Sequence, residues 1–163
     1  MKRERAEGFA PVWDENSRLL VLGSFPSVKS RAQGFYYGNP QNRFWRTLAH
    51  FFNADEPKTP EARREFVLER GVALWDVVKS CSIAGSSDAS IADVELAELP
   101  ALIEKSKISV IFCNGGKSYE LLFKYFPELL SMTRRLSSTS PANPRFSEGE
   151  WHAALSEEFF VNS

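Results

Sequence analysis

Three runs of unbroken apolar residues constrain this chain more than anything else in it: Leu19-Leu20-Val21-Leu22, Val72-Ala73-Leu74-Trp75 and Val110-Ile111-Phe112-Cys113. Such a tetrad has no polar face to turn to water. As a strand it must be buried on both sides, as in a parallel sheet flanked by helices. A fourth, weaker run spans Met132 to Leu136.

Helix-like segments separate the runs. Arg43 to Phe52 carries apolar residues at 44, 45, 48, 51 and 52, a three-four spacing. Thr59-Pro60-Glu61 supplies an N-cap and first turn for a helix to about Arg70, ended by Gly71. Further helices are expected over Leu96–Ile103, limited or kinked by Pro100, over Lys117–Tyr125, and over Glu148–Phe160. The alternation predicts a single-domain, three-layer α/β/α sandwich with a small, mainly parallel sheet. At 163 residues the chain is one domain, with residues 1–8 expected as a flexible N-terminal segment.

In open parallel sheets, ligands bind beyond the carboxyl ends of the strands. Polar loops fall at those ends: Gly23-Ser24-Phe25-Pro26-Ser27, Asn114-Gly115-Gly116-Lys117, and Ser137 to Asn143. After the first loop comes Gly34-Phe-Tyr-Tyr-Gly-Asn-Pro-Gln-Asn-Arg-Phe-Trp45. Its aromatics suit either core packing or stacking on a planar base. Arg43 offers a planar fork for phosphate or for buttressing. Asp76 and Asp88 can tether a water or a sugar, or, for Asp88, cap a turn. His50 and His152 sit in helical runs, where packing or exposure is their expected fate.

Composition narrows the chemistry. Twenty Lys+Arg against 21 Asp+Glu gives a net charge of −1, so any nucleic-acid contact must use a local basic face. Two cysteines cannot make a disulfide framework, and with two histidines they match no spaced zinc motif. No apolar run approaches the roughly 18 residues of a membrane span, and the basic start lacks an apolar stretch before a cleavage site. A cytoplasmic monomer without metal or cofactor is expected.

The segments Gly-Ser-Phe-Pro-Ser at 23–27, Gly-Phe-Tyr-Tyr-Gly-Asn-Pro-Gln-Asn-Arg-Phe-Trp at 34–45 and Ser-Thr-Ser-Pro-Ala-Asn at 138–143 resemble the uracil-DNA glycosylase superfamily, with the hypoxanthine-DNA (deoxyinosine) glycosylase branch as the best match. The likeness runs from about residue 9 to 160. Phe25 stands where mismatch-specific enzymes carry Asn, and no Asp lies between Gly23 and Trp45, where classical uracil enzymes have one. The resemblance implies a compact α/β/α fold and DNA carrying deaminated bases as partner. The implied activity is monofunctional hydrolysis of the N-glycosidic bond, with hypoxanthine first. A uracil or mismatch-specific enzyme and a non-catalytic lesion binder remain the alternatives.

Site residues follow from the same likeness. Asn39 matches the branch's catalytic amide, whose carbonyl orients a water beneath C1′, or else is a turn residue before Pro40. Asn114 reads the base's lactam edge or caps the following helix. Phe25 and Tyr36 complete the base pocket. Ser24, Ser27, Lys29, Arg43, Lys117, Ser140 and Asn143 are candidate DNA contacts. Arg145 and Phe146 are candidates to fill the gap left by a flipped nucleotide.

Overall fold

The computed structural model describes residues 3–84 and 91–161; Asp88 lies outside them. Strands β1 (Glu4–Glu7), β2 (Leu19–Gly23), β3 (Val72–Asp76), β4 (Val78–Ile83), β5 (Ala92–Leu96), β6 (Val110–Asn114) and β7 (Thr133–Leu136) form two sheets. The helices are α1 (Val28–Gln33), α2 (Phe44–Phe52), α3 (Pro60–Glu69), α4 (Leu99–Glu104), α5 (Gly116–Tyr125) and α6 (Glu148–Ser156).

The three apolar runs become β2, β3 and β6, the weaker one β7, in a four-stranded parallel sheet of order β3-β2-β6-β7. Every residue of β2 and β3 is buried. Helices cover both faces. Phe112 of β6 meets Trp151 of α6 edge-on, and Trp151 meets Phe44 of α2. The next residue, Cys113, faces Ser118 of α5. Because consecutive strand side chains point to opposite faces, α2 and α6 lie on one side and α5 on the other. His50 of α2 meets Glu148 of α6 at 2.7 Å and His152 of α6 meets the Thr47 carbonyl of α2 at 3.1 Å, so both histidines tie α2 to α6.

The second sheet, antiparallel with order β1-β4-β5, departs from expectation. Glu4–Glu7, expected as part of a flexible segment, pairs with Ser80–Ile83 as β1. Its sequence, Glu-Arg-Ala-Glu, has no apolar pattern because it is an edge strand with only Ala6 buried. Leu96 belongs to β5, and α4 starts at Leu99. Pro100 then sits in the first helical turn, where its missing N–H costs nothing. The last helix changes at Glu157 to a π-helical turn. Among the described residues no helix is long and apolar enough to cross a membrane.

Candidate active site

Three parallel strands end level with one another. Gly23 is in register with Asp76 and Leu22 with Cys113, which sets Asn114 beside Gly23 on the other side. Lacking a side chain, Gly23 leaves a gap between Asp76 and Asn114. That gap opens into a cavity of about 310 Å³, walled by the segments after β2 and after β7 and by residues 36–42.

Asn114 is held in one orientation. The Thr139 backbone N–H donates to its Oδ1 at 2.9 Å, and its Nδ2 donates to Thr139 Oγ1 at 3.0 Å. A backbone N–H can only donate, so the side-chain atom it meets must be the oxygen. One lone pair and one N–H of the amide remain for a ligand. Asn114 does not cap α5. The cap residue is Gly115, at φ +98°, with no side-chain bond to the helix, and a Cβ there would stand 3.0 Å from Ser138 Cβ.

Asp76 closes the other side of the gap. It is 4% exposed, its Oδ2 has no hydrogen-bond partner, and burial pushes its pKa up to about 7. Tyr37, in the left-handed region at φ +52°, turns a buried hydroxyl toward Asp76 and Asn114 without completing a hydrogen bond to either. The sequence singles out Asn114 more readily than these two. The signal for Asp76 is a carboxylate ending an otherwise apolar strand level with Gly23. Thr139 carries no such signal, because its role depends on how the last loop folds back.

The uracil DNA glycosylase superfamily profile matches residues 10–161. The chain belongs to that superfamily. A hypoxanthine DNA glycosylase of Methanosarcina acetivorans is 40% identical over 156 residues, spanning 91% of this chain and 96% of the relative. One from Methanosarcina barkeri is 36% identical over 146 residues, spanning 86% and 90%. A solution NMR structure from Methanosarcina acetivorans, assigned provisionally as a uracil DNA glycosylase, superposes with a TM-score of 0.77 at 38% identity, covering 92% of this chain and 96% of that one.

Within this superfamily fold the other sequence-derived candidates divide. Asn39, Phe25, Ser24, Ser27 and Ser140 line the cavity. Asn39 Oδ1 also accepts the Gln41 N–H at 3.0 Å, an Asx turn that pins the amide and leaves its second lone pair. Arg31 lies over the Phe25 ring. Ser27 caps α1 through Ser30 N–H. Tyr36 reaches the cavity wall, but its hydroxyl faces the carbonyls of Phe9 and Ala10, at 3.1 and 2.9 Å, so it anchors the loop. Lys29 and Lys117 are exposed on the first turns of α1 and α5.

Arg43 is committed inside the protein. Its guanidinium donates to the carbonyls of Thr139, Ser140 and Asn143 and lies over Phe146, 4.5 Å from the ring centroid. Of the two roles open to its fork, this geometry is the buttress. Asn143 braces the same loop, donating to Ser138 O and accepting from Arg145 N–H. Phe146 is half-buried under Arg43, whereas Arg145 is exposed.

Proposed function

We propose that the chain is a DNA glycosylase that hydrolyses the N-glycosidic bond of deaminated bases, hypoxanthine first, and leaves an abasic site. The observation that carries this reading is the Asn114 amide, locked by Thr139 with one donor and one acceptor free. Deamination converts adenine to hypoxanthine, turning a donor-acceptor pair into the reverse: a ring N–H beside a carbonyl oxygen. A fixed amide accepts from the first and donates to the second, and it cannot flip to greet adenine. The two Methanosarcina relatives named hypoxanthine DNA glycosylases support the same substrate.

Cleavage builds positive charge on the sugar and negative charge on the departing base. The deoxyribose lacks the 2′-hydroxyl that would oppose this, so the protein has mainly to place a water and stabilise the base. Asn39 Oδ1 is the group that orients the water. No lysine is among the described residues lining the cavity, in keeping with simple hydrolysis and no covalent imine to the sugar. DNA is gripped through the loop rims rather than a broadly basic surface, and the chain acts as a monomer.

The test is an oligonucleotide carrying one deoxyinosine or one deoxyuridine, single-stranded and duplex, incubated with the protein and then with alkali. Alkali-dependent cutting at deoxyinosine is expected. A shifted but uncut band would make the protein a lesion binder, and cutting at deoxyuridine alone would reassign the substrate.

A further inference from the structure

Asp76 stands out among the groups that this mechanism leaves unused. It shares the cavity with Asn114, its carboxyl lies across the Cα of Gly23, and its Oδ2 is buried with no partner. A buried polar atom without a partner is costly, and the carboxyl that carries it lines the cavity a ligand would fill.

We infer that Asp76, as a neutral carboxylic acid, donates a hydrogen bond to the acceptor atoms of the flipped base, O6 or the adjacent ring nitrogen N7 of hypoxanthine. The inference rests on the glycosylase reading and adds a specificity group to it. An ionised carboxylate has no proton to give and would repel the same atoms. The neutral acid donates to an atom that gains negative charge as the glycosidic bond breaks, so the bond strengthens toward the transition state. The proton stays on Asp76 throughout.

The surroundings keep the acid neutral. Burial holds its pKa near 7. The titratable groups facing it or its neighbours are Tyr36 and Tyr37 from the loop before α2 and Cys113 from β6. All three are pushed upward by burial, Cys113 to about 12, so none supplies a charge near neutrality. Asp76 alone in this cluster changes state between pH 6 and 8.

Two measurements test this. First, the Asp76 carboxyl carbon, followed by NMR in the DNA-free protein, should titrate with a midpoint near 7. A midpoint in the ordinary carboxylate range overturns the inference whatever the enzyme's substrate. Second, kcat/KM on single-stranded deoxyinosine should fall about tenfold from pH 6 to pH 8, following the neutral fraction of a group titrating near 7. Asp76→Asn keeps a donor that does not titrate; it should stay within about tenfold of wild type at pH 6 and lose the decline. Asp76→Ala should cost about 10²–10³ at pH 6, the usual effect of removing one such donor. A rate that rises with pH and vanishes in Asp76→Asn would make Asp76 a general base. A falling profile with an inactive Asp76→Asn would make it a proton donor. Either result overturns the hydrogen-bonding role, and absence of wild-type cutting overturns the glycosylase reading itself.

Discussion

Gly23 and Asp76 sit side by side on adjacent strands, so close that a Cβ on Gly23 would stand 2.4 Å from Asp76 Oδ1 and 3.3 Å from the Tyr37 hydroxyl. The glycine is there to make room. Gly23→Ala should push the Asp76 carboxyl out of place and narrow the cavity floor. Excision should fall about a hundredfold, comparable to losing one well-placed donor, while overpacking costs about 1–3 kcal/mol of stability. Excision rate and urea unfolding, measured on the same preparation, check both halves.

Thr139 holds the Asn114 amide, the group proposed to read the base. Thr139→Val removes the Oγ1 acceptor but keeps the backbone N–H on Asn114 Oδ1. About 1 kcal/mol of stability and a several-fold loss in kcat/KM on deoxyinosine are expected from one lost hydrogen bond. Thr139→Ser restores the oxygen and should recover the rate. Failure of Ser to recover it would mean that the hydroxyl alone does not hold the amide.

If Arg43 is a strut, its loss loosens residues 138–146 without removing a DNA phosphate contact. Arg43→Ala should lower stability by roughly 2–3 kcal/mol, since hydrogen bonds from a charged donor are worth more than neutral ones. Lys should not substitute, because it cannot match three carbonyls with a planar fork. Amide exchange in the loop should speed up. The salt slope of duplex binding should stay unchanged, whereas a lost phosphate contact would reduce it by about 0.9.

The parallel sheet was legible because β2, β3 and β6 are apolar at nearly every position, a pattern that burial on both faces imposes. β1 was not, because an edge strand with one buried alanine carries no periodicity to read. β5 does alternate, with Ala92, Val94 and Leu96 turned inward and Asp93 and Glu95 exposed, but the run is short and only half-buried, and Leu96 also fits the start of a helical spacing. Asn39 and Asn114 were legible as amides at loop starts and strand ends. Tyr37, Thr139 and Asp76 depend on long-range closure: Thr139 reaches Asn114 across 25 residues, and Asp76 meets Gly23 across the strand pair. Arg43 could be read either way, since a guanidinium that binds phosphate and one that binds carbonyls look the same in sequence.

Burial of Asp76 also predicts how stability varies with pH. Its pKa rises from 3.8 in the unfolded chain to about 7 in the folded one. Below about pH 4 both states hold the proton, and above about pH 7 both have lost it. Between those limits the unfolded chain is ionised while the folded protein keeps the proton, so stability falls as pH rises. The fall is on the order of 4 kcal/mol at about 1.4 kcal/mol per unit. Asp76→Asn removes this contribution. The difference in unfolding free energy between mutant and wild type should therefore grow in the mutant's favour from pH 4 to 7 and level off at pH 8. A difference that does not change with pH would mean that Asp76 titrates normally in the folded state.

The proposed role of the loop after β7 in engaging a duplex can be tested through Arg145 and Phe146. Phe146 lies under the Arg43 guanidinium and is half-buried, so drawing it out would break that stack. Arg145 is exposed beside it, with its backbone N–H fixed by Asn143 Oδ1 at 3.0 Å, which holds its Cα in place while the side chain stays free. A long planar cation on a braced, proline-flanked turn suits the proposed wedge. Filling the space left by a flipped nucleotide matters only where there is a stack to fill. Arg145→Ala should therefore lower excision from duplex DNA much more than from single strands. Phe146→Ala should lower both, together with stability, because it removes the platform on which Arg43 rests. A net charge of −1 is expected to leave few phosphates neutralised, so binding to duplex should weaken only gently with salt, by about 0.9 in slope for each phosphate contacted. Equal losses on single and double strands from Arg145→Ala would show that the side chain grips the backbone rather than the stack, and would leave this loop as a wall of the pocket.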